Sequence, residues 1–498
     1  MRQLFVFGLI LWLSLPSLRA QSSAHPSPLH YEAELGGMAT TTDRTPFWLR
    51  TNQYGIVPTR GPFGTIRAGV YRTYRPIPDS LASAPQRKID WGFGVNVVGN
   101  IGSNDRPETR QLLWPELYGK IRFGKVELFA GRRREVYGLG DTTLTSGFIS
   151  WSGNAIPFPK VQIHTPDYIP LRFLKNVLAL KGGYAHGWFT AAYIKGVYLH
   201  QKFLYGRLGK PTWKVKLYAG LNHQVQWGGR ADYLIGTPLA VNGNLPTSFK
   251  DYVSLITGRY PEAISTDQFT DFDGTNRIGN HVGSYDFALE WTRPKRTLTL
   301  YHQHLYEDAS GLAFQNFPDG LTGIRLHNRP TNARFHLERL ALEFLTTTDQ
   351  GGAVFDMTAR YQGADNYFNH SQYREGWSYN GRTVGTPFIA PRTEFTPEVN
   401  RLEGGGFFPN NRVVAWHLGA QAVAFRNVTL TAKASTSRNF GTFNQRYVPP
   451  FRQFSSLLSA QIHPPRWSGI VMTTAFALDH GELYPNTFAS YVSVKKVW

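Results

Sequence analysis

Hydrophobic and polar residues alternate along most of the chain with a period of two, which is the pattern of β-strands with one apolar and one polar face. Between Val215 and Gln226, for example, apolar side chains such as Leu217 alternate with polar ones such as Lys216. The same alternation recurs in residues 90–97, 116–123, 285–291, 414–422 and 428–435. These segments run for about 8–13 residues, whereas strands of soluble sheets average about 5–6. We count about 16 to 19 candidate strands of this kind.

A soluble β-sandwich also alternates, so other features must distinguish it from a membrane barrel. The strands have the length of about 9–11 residues that a tilted strand needs to cross a bilayer. Charged residues make up only 17% of the chain, below the roughly 25% of soluble domains. Aromatic residues cluster near strand ends, as interfacial girdles require: Tyr71, Tyr74, Tyr198, Trp227, Trp291, Tyr301, Trp467 and Tyr491. We therefore predict an all-β fold, a transmembrane antiparallel β-barrel.

The two ends of the chain agree with export to an outer membrane. Residues 1–20 combine Arg2 with a short apolar run and predict a signal peptide, although an N-terminal anchor helix is the alternative. No later stretch approaches the ~18 apolar residues of a membrane helix. The final strand closes on Trp498 and resembles the C-terminal signal of bacterial outer-membrane barrels. We expect residues 21–498 to form one domain.

Several predicted connections between strands are long, and loops beyond ~15 residues are usually functional. They cover residues 228–283, 308–332, 363–412 and 438–452. Residues 248–259 within the first of them predict a short helix. The barrel should therefore carry a few short helices in its long connections.

Catalytic constellations are absent from the sequence, which contains no cysteine, no nucleotide loop and no zinc-protease or serine-hydrolase motif. His302 and His304 share one strand face, but no third metal ligand is evident nearby. Asp286 and Glu290 also share a strand face. Two carboxylates in this arrangement are better explained by pairing with cations in the lumen than by acid–base catalysis. We expect no enzyme activity, no cofactor and no metal site.

The positive charge of the chain, +19 by count, calls for an anionic partner. Nucleic acid does not suit an exported protein, and the longest basic run is only Arg132 to Arg134. An exported cationic surface favours acidic glycans, lipopolysaccharide phosphates or small anions.

Several stretches resemble the capsule assembly Wzi family in its Bacteroidetes-type form. They are Pro46–Gly55, Gly131–Gly147, Trp151–Tyr168, Leu221–Gly229 and Gly243–Tyr252. The resemblance implies a Gram-negative cell outer-membrane barrel of about 18 strands. It also implies a lectin-like, non-enzymatic role in which capsular or other surface polysaccharide is bound at the cell surface. Outer-membrane lipid and lipopolysaccharide are the other expected partners, and we expect a monomer.

The candidate glycan-binding residues come from the motif-rich segment and from one polar strand face. They are Arg133, Glu135, Trp151, Asn154, Gln162, His164, Gln224 and Gln226. Arg133 and Glu135 are selected on the assumption that they continue the inward face of the strand that contains Glu127. A structural role in turns and plug packing is the alternative for all of them.

Two other functions stay open at this stage. A porin or transport channel with a cationic lumen would have a similar strand count and composition. An outer-membrane enzyme acting on lipid or glycan ranks last, because the sequence offers no nucleophile or carboxylate constellation for it.

Overall fold

The structure is a computed structural model that describes residues 28–75, 89–356, 361, 363–402, 404 and 406–498. The predicted signal peptide, residues 1–20, lies outside the described residues. The strands are β1 (Leu29–Thr40), β2 (Phe63–Arg72), β3 (Ile89–Gly102), β4 (Gln111–Phe123), β5 (Val126–Arg132), β6 (Pro159–His164), β7 (Ile169–Pro170), β8 (Leu178–Ala191), β9 (Ile194–Leu208), β10 (Val215–Trp227), β11 (Asn280–Thr292), β12 (Arg296–Tyr306), β13 (Gly320–Asn328), β14 (Phe335–Thr346), β15 (Ser378–Tyr379), β16 (Arg382–Thr383), β17 (Val413–Ala424), β18 (Val428–Gly441), β19 (Arg446–Ile462), β20 (Ile470–Gly481) and β21 (Thr487–Val497). The helices are α1 (Phe47–Arg50), α2 (Phe249–Thr257), α3 (Asp271–Thr275), α4 (Ala309–Leu312) and α5 (Pro397–Asn400).

The strands form a closed antiparallel barrel. Each strand pairs with the next along the chain, and β21 returns to β1, with Tyr491 opposite Met38. β6 and β7 together occupy one position against β8, and β15 and β16 form a separate small hairpin. The barrel therefore has 18 strand positions, which confirms the predicted fold class. Closure leaves no unpaired sheet edge, as a strand structure in lipid requires.

The two faces of the barrel follow the predicted alternation. On β10, Leu217 points outward and is 46% exposed, whereas Lys216 points inward and is 7% exposed. Leu289 on β11 and Leu342 on β14 repeat the outward apolar pattern. Among the described residues, no helix is long and apolar enough to cross a bilayer.

The connections differ between the two ends of the barrel. One end, here called the loop end, carries the connections 41–62, 133–158, 228–279 and 347–412. The other, here called the turn end, has tight connections such as 124–125, 293–295 and 425–427. In outer-membrane barrels the short turns face the periplasm and the long loops face outward.

Three of the loop-end connections fold into the lumen, and we call residues 41–62, 133–158, 363–402, 404 and 406–412 the plug. Its aromatic side chains are almost fully buried, including Trp48, Phe148 and Trp377. They belong to one hydrophobic cluster with lumen-facing residues of the wall such as Leu305 and Leu345. Burying these apolar side chains in the lumen gives the protein a hydrophobic core inside the barrel wall.

The plug is hydrogen-bonded to the wall across the whole width of the lumen. Residues 133–158 enter between β5 and β6, yet the Ile149 amide donates to Gln303 on β12 at 2.6 Å. The Ser146 amide donates to Glu343 on β14, also at 2.6 Å. On the far side, the Trp48 indole donates to Ser435 on β18 at 3.1 Å. The plug therefore crosses the lumen between these walls.

Candidate functional site

A cavity of about 400 Å³ remains in the lumen beside the plug. Its wall comes from β4, β5, β6, β8 and β9 and from the plug segment after β5. The lining residues are Lys120, Glu127, Arg133, Glu135, Val136, Tyr137, Gly138, Leu139, Gln162, His164, Pro166, Tyr168, Lys181, Phe203 and Tyr205. Lys120 and Glu127 flank the 124–125 turn, so the cavity lies toward the turn end.

The chain reaches this cavity by leaving the wall at the end of β5. Gly131 has φ +122°, and a Cβ there would lie 2.1 Å from the Leu117 carbonyl oxygen, so only glycine fits. β5 ends at Arg132, and the next residues turn into the lumen. The expectation that Arg133 and Glu135 continue a strand face is therefore wrong, although both side chains do line the lumen cavity.

Glu135 is the centre of a buried charge network. Its carboxylate pairs with Lys160 at 2.6 Å and with Arg133 at 2.8 Å. The Gln162 amide donates to it at 3.1 Å and the Tyr137 hydroxyl at 3.3 Å. Burial alone would raise the pKa of Glu135, but the two cations and their hydrogen bonds outweigh burial and lower it to about 2. Glu135 is therefore ionised at any physiological pH.

Arg133 connects this carboxylate to a second one. Its guanidinium also pairs with Glu127, stacks 4.0 Å from the centre of the Phe129 ring, and lies 3.2 Å from His164 Nε2. Burial disfavours its charge, yet the two carboxylates more than compensate and raise the pKa of Arg133. Two carboxylates thus fix one guanidinium against the cavity wall.

Lys181 differs from the other cations of the cavity. It is half-buried on β8 and lines the cavity, but among the residues that the structure describes it forms no ion pair or hydrogen bond. The lining carries the cations Lys120, Arg133 and Lys181 against the carboxylates of Glu127 and Glu135. An excess positive charge is therefore available to an anionic ligand.

Aromatic rings complete the cavity wall. Tyr168 follows the break between β6 and β7, and its ring lies 5.8 Å from that of Tyr218 in an edge-to-face contact. Tyr205 is fixed by its hydroxyl, which donates to Asp286 at 2.7 Å. Flat aromatic faces next to hydrogen-bonding groups can hold the apolar face of a sugar ring while polar groups bind its hydroxyls.

The structure brings together four of the eight candidate residues. Arg133, Glu135, Gln162 and His164 all line the cavity. Trp151 and Asn154 lie inside the plug, where the Trp151 indole donates to the Glu135 carbonyl at 3.1 Å and the Asn154 amide donates to the Thr383 carbonyl at 3.2 Å. Gln224 and Gln226 point inward from β10, are 0% and 1% exposed, and are not among the residues that line this cavity.

Sequence reasoning did not select Lys160, Lys181 or Tyr168. The period of two places Lys160 on the same face of β6 as Gln162 and His164, so the signal for it was present. Lys181 gave no local signal, because its role depends on which strands and which plug residues surround it.

The other polar features of the sequence lie away from the cavity. The lumen pairing predicted for Glu290 is present, with Lys216 at 2.6 Å, whereas Asp286 accepts from Tyr205 instead of a cation. Within the described residues, no group of three or more His, Asp or Glu side chains is arranged to hold a metal ion.

Comparison with known proteins places this geometry in context. The family model for the capsule assembly protein Wzi matches residues 93–400. No curated protein matches the sequence. Among solved structures, the chain is similar to Wzi of Escherichia coli, described as an outer membrane protein involved in group 1 capsule assembly and a carbohydrate-binding β-barrel. That similarity has 12% identity and a TM-score of 0.57, and it covers 93% of this chain and 83% of that one.

Two other solved structures give lower structural similarity. OccAB4 of Acinetobacter baumannii is 10% identical with a TM-score of 0.46, over 95% of this chain and 98% of that one. OccK5 of Pseudomonas aeruginosa is 9% identical with a TM-score of 0.44, over 94% and 97%. At these identities, what the Escherichia coli Wzi match shows is the barrel fold.

Proposed function

The chain belongs to the capsule assembly protein Wzi family, and we propose that it binds acidic surface polysaccharide and holds it at the cell surface of a Gram-negative bacterium. It is an outer-membrane β-barrel. Residues 1–20 would direct export, and residues 21–498 would form the single mature domain. The Escherichia coli barrel, which is described as carbohydrate-binding, supports the ligand class.

The cavity at the turn end is the observation that carries the ligand proposal, and because this end faces the periplasm, the bound segment of the polysaccharide would enter from the periplasmic side of the plug. Its 400 Å³ suits one or two sugar rings, because small-molecule sites usually span about 300–1,000 Å³. The Lys181 ammonium would meet the carboxylate of an acidic sugar, and Tyr168 would offer a flat face to the ring. Arg133, Glu135, Gln162 and His164 would supply hydrogen bonds to hydroxyls from one wall.

The remaining candidates would support the site from a distance. Trp151 and Asn154 would hold the plug segment that carries Arg133 and Glu135, because both bond to backbone carbonyls within the plug. Gln224 and Gln226 would contribute polar contacts elsewhere on the lumen wall.

A binding role also fits better than a channel or an enzyme. The plug crosses the lumen from β5 to β18, which supports a binding role over an open channel. Apart from Lys181, the cavity charges are held in fixed pairs such as Arg133 with Glu135, an arrangement that orients a ligand rather than cycling protons. We propose that the protein is not an enzyme and acts without a cofactor. We further propose that it works as a monomer in contact with outer-membrane lipid and lipopolysaccharide.

The test is binding of surface polysaccharide, and of acidic and neutral oligosaccharides derived from it, to the detergent-folded barrel. We expect saturable binding of acidic forms that salt weakens but does not abolish. Lys181→Gln should lower that affinity about tenfold, which corresponds to about 1.4 kcal/mol. Lys295→Gln removes the same charge from an exposed turn at the same end, and it should leave the affinity unchanged.

The outcomes separate the function from the site. Absence of saturable binding by a folded, heat-modifiable barrel would contradict the function. Saturable binding that Lys181→Gln and Arg133→Ala leave unchanged would place the glycan outside the cavity, and the site assignment would be wrong. If Trp151→Ala also left binding unchanged, the plug would have no part in it.

A further inference from the structure

Helix α2 lies outside the barrel near the loop end, not in the lumen. It belongs to the connection 228–279, and its residues contact outward-facing side chains of β8, β9 and β10. The Tyr252 hydroxyl lies 2.5 Å from that of Tyr184, and the Tyr252 ring stacks 5.1 Å from Trp227. The Lys202 ammonium donates to the carbonyl of Ile256 in the last turn of the helix. The outer surface of β8, β9 and β10 thus contacts the helix along its length.

The inner side of α2 is held by a hydrophobic cluster of its own. Leu255 is 1% exposed and packs with Val225 and Trp227, separately from the cluster that fills the lumen. The helix begins with a capping box in which Ser248 and Asp251 bond reciprocally. The packing of Leu255 and the capping box fix the orientation of α2. The opposite face of the helix therefore points away from the barrel wall.

That other face is apolar and has no protein partner among the described residues. Phe249 is 81% exposed and Val253 is 41% exposed, one turn apart on the same side of the helix. Tyr260 and Ile264, just beyond the helix, are 51% and 68% exposed. In water, a row of large apolar side chains at this exposure would be unfavourable.

The apolar face continues the lipid-facing band of the barrel. On the strands that seat α2, the outward side chains nearer the turn end are also apolar and exposed, with Leu204 at 54% and Leu217 at 46%. The exposed charges of α2 lie at its edge, where Lys250 pairs with Glu262 at 2.9 Å. An apolar face bordered by charges is the pattern of helices that lie in a membrane interface.

We propose that α2 is an interfacial helix that inserts Phe249 and Val253 among the acyl chains of the outer leaflet. The occupant of this face is lipid, and its recognition is apolar rather than electrostatic. The helix would anchor the long connection 228–279 to the membrane surface. This inference does not depend on what the lumen binds.

The absence of cysteine from the chain makes a direct test possible. Single-cysteine variants Phe249→Cys and Val253→Cys can each carry one nitroxide label, and the barrel is then folded into liposomes. Accessibility of the label to oxygen, which partitions into lipid, is compared with its accessibility to a water-soluble nickel chelate. Leu289→Cys, on the outward face of β11, is the lipid control. Asp105→Cys, exposed in the 103–110 connection at the loop end, is the water control.

We expect the ratio of oxygen to nickel accessibility at Phe249 and Val253 to exceed that at Asp105 by about threefold or more, as for a face several ångströms within the interface. A ratio equal to that at Asp105 would overturn the proposal. Low accessibility to both reagents with dipolar broadening between labels would show a second copy of the chain on this face, and it would overturn the proposal as well. A change in the electrophoretic mobility of each variant on heating confirms that it was folded beforehand.

Discussion

Replacing Glu135 by Gln should destabilise the folded barrel by about 3 kcal/mol at pH 7. The substitution keeps the shape of the side chain but removes the charge that pairs with Lys160 and Arg133. The Lys160 side chain is 2% exposed, so its ammonium would keep only neutral partners such as the Gln201 oxygen at 2.8 Å. Leaving a buried charge without its counter-ion is what makes such changes costly.

The pKa of Glu135 gives the same magnitude independently. Burial raises it, but Lys160 and Arg133 lower it further, from 4.5 to about 2. At 1.36 kcal/mol for each pKa unit, this difference corresponds to about 3 kcal/mol of stability. Because the pKa in the folded state is depressed, this contribution is present above pH 4.5 and is lost as the pH falls toward 2.

The assay is urea unfolding of the barrel in lipid vesicles, followed by tryptophan fluorescence at several pH values. Glu262→Gln, which removes an exposed pair with Lys250, should leave the free energy of unfolding unchanged. Glu135→Gln combined with Lys160→Met should recover much of the loss, since no unpaired charge is left. The reasoning would be refuted if Glu135→Gln were as stable as the parent at pH 7. It would also be refuted if the stability lost in Glu135→Gln did not become smaller below pH 4.

Three further changes test other parts of the structure. Burial raises the pKa of Asp273 from 3.8 to about 6 despite the hydrogen bonds from Gln372, so the stability of the folded state falls as the pH rises from 3.8 through 6. Asp273→Asn should remove this fall in the urea midpoint over the same pH range, and an unchanged pH dependence would contradict it. Arg50→Met removes the nearer of two buried cations that pair with Glu394 and leaves Arg382 at 3.7 Å, so it should cost about 2 kcal/mol in the same unfolding assay. A loss below about 0.5 kcal/mol would mean that the Arg50 pair is not needed. Trp151→Phe loses one buried hydrogen bond and should cost about 1 kcal/mol, which the urea midpoint measures and a stability gain would contradict.

The local pattern of the sequence was enough for helix α2 and for most of the barrel wall. It was wrong for two predicted connections, because 308–332 contains β13 and 438–452 contains the ends of β18 and β19. Alternation at positions such as Lys216 and Leu217 reports directly which side chain faces the lumen and which faces lipid, because the period of a strand is two. The helix predicted over residues 248–259 is present as Phe249–Thr257, since its capping residue Ser248 and its terminating Gly258 are local signals.

The plug and the cavity depend on contacts between distant parts of the chain. Residues 133–158 have no periodicity that predicts their path, and their amides bond to residues about 150 to 200 positions later in the chain, such as Gln303 and Glu343.

Some residues of the candidate site follow from the sequence pattern, and others follow only from the tertiary structure. Gln162 and His164 follow from the alternation of β6, whereas Arg133 and Glu135 lie inside because the chain turns at Gly131. Lys181 is a cavity cation because β8 closes against β6, and among the described residues no carboxylate forms an ion pair with it. Sequence by itself determined the faces of the strands, since a side chain's direction is a local property of the backbone. Only the tertiary structure decided what fills the lumen and which charges remain free, because both depend on residues far apart in sequence that the closed barrel brings together.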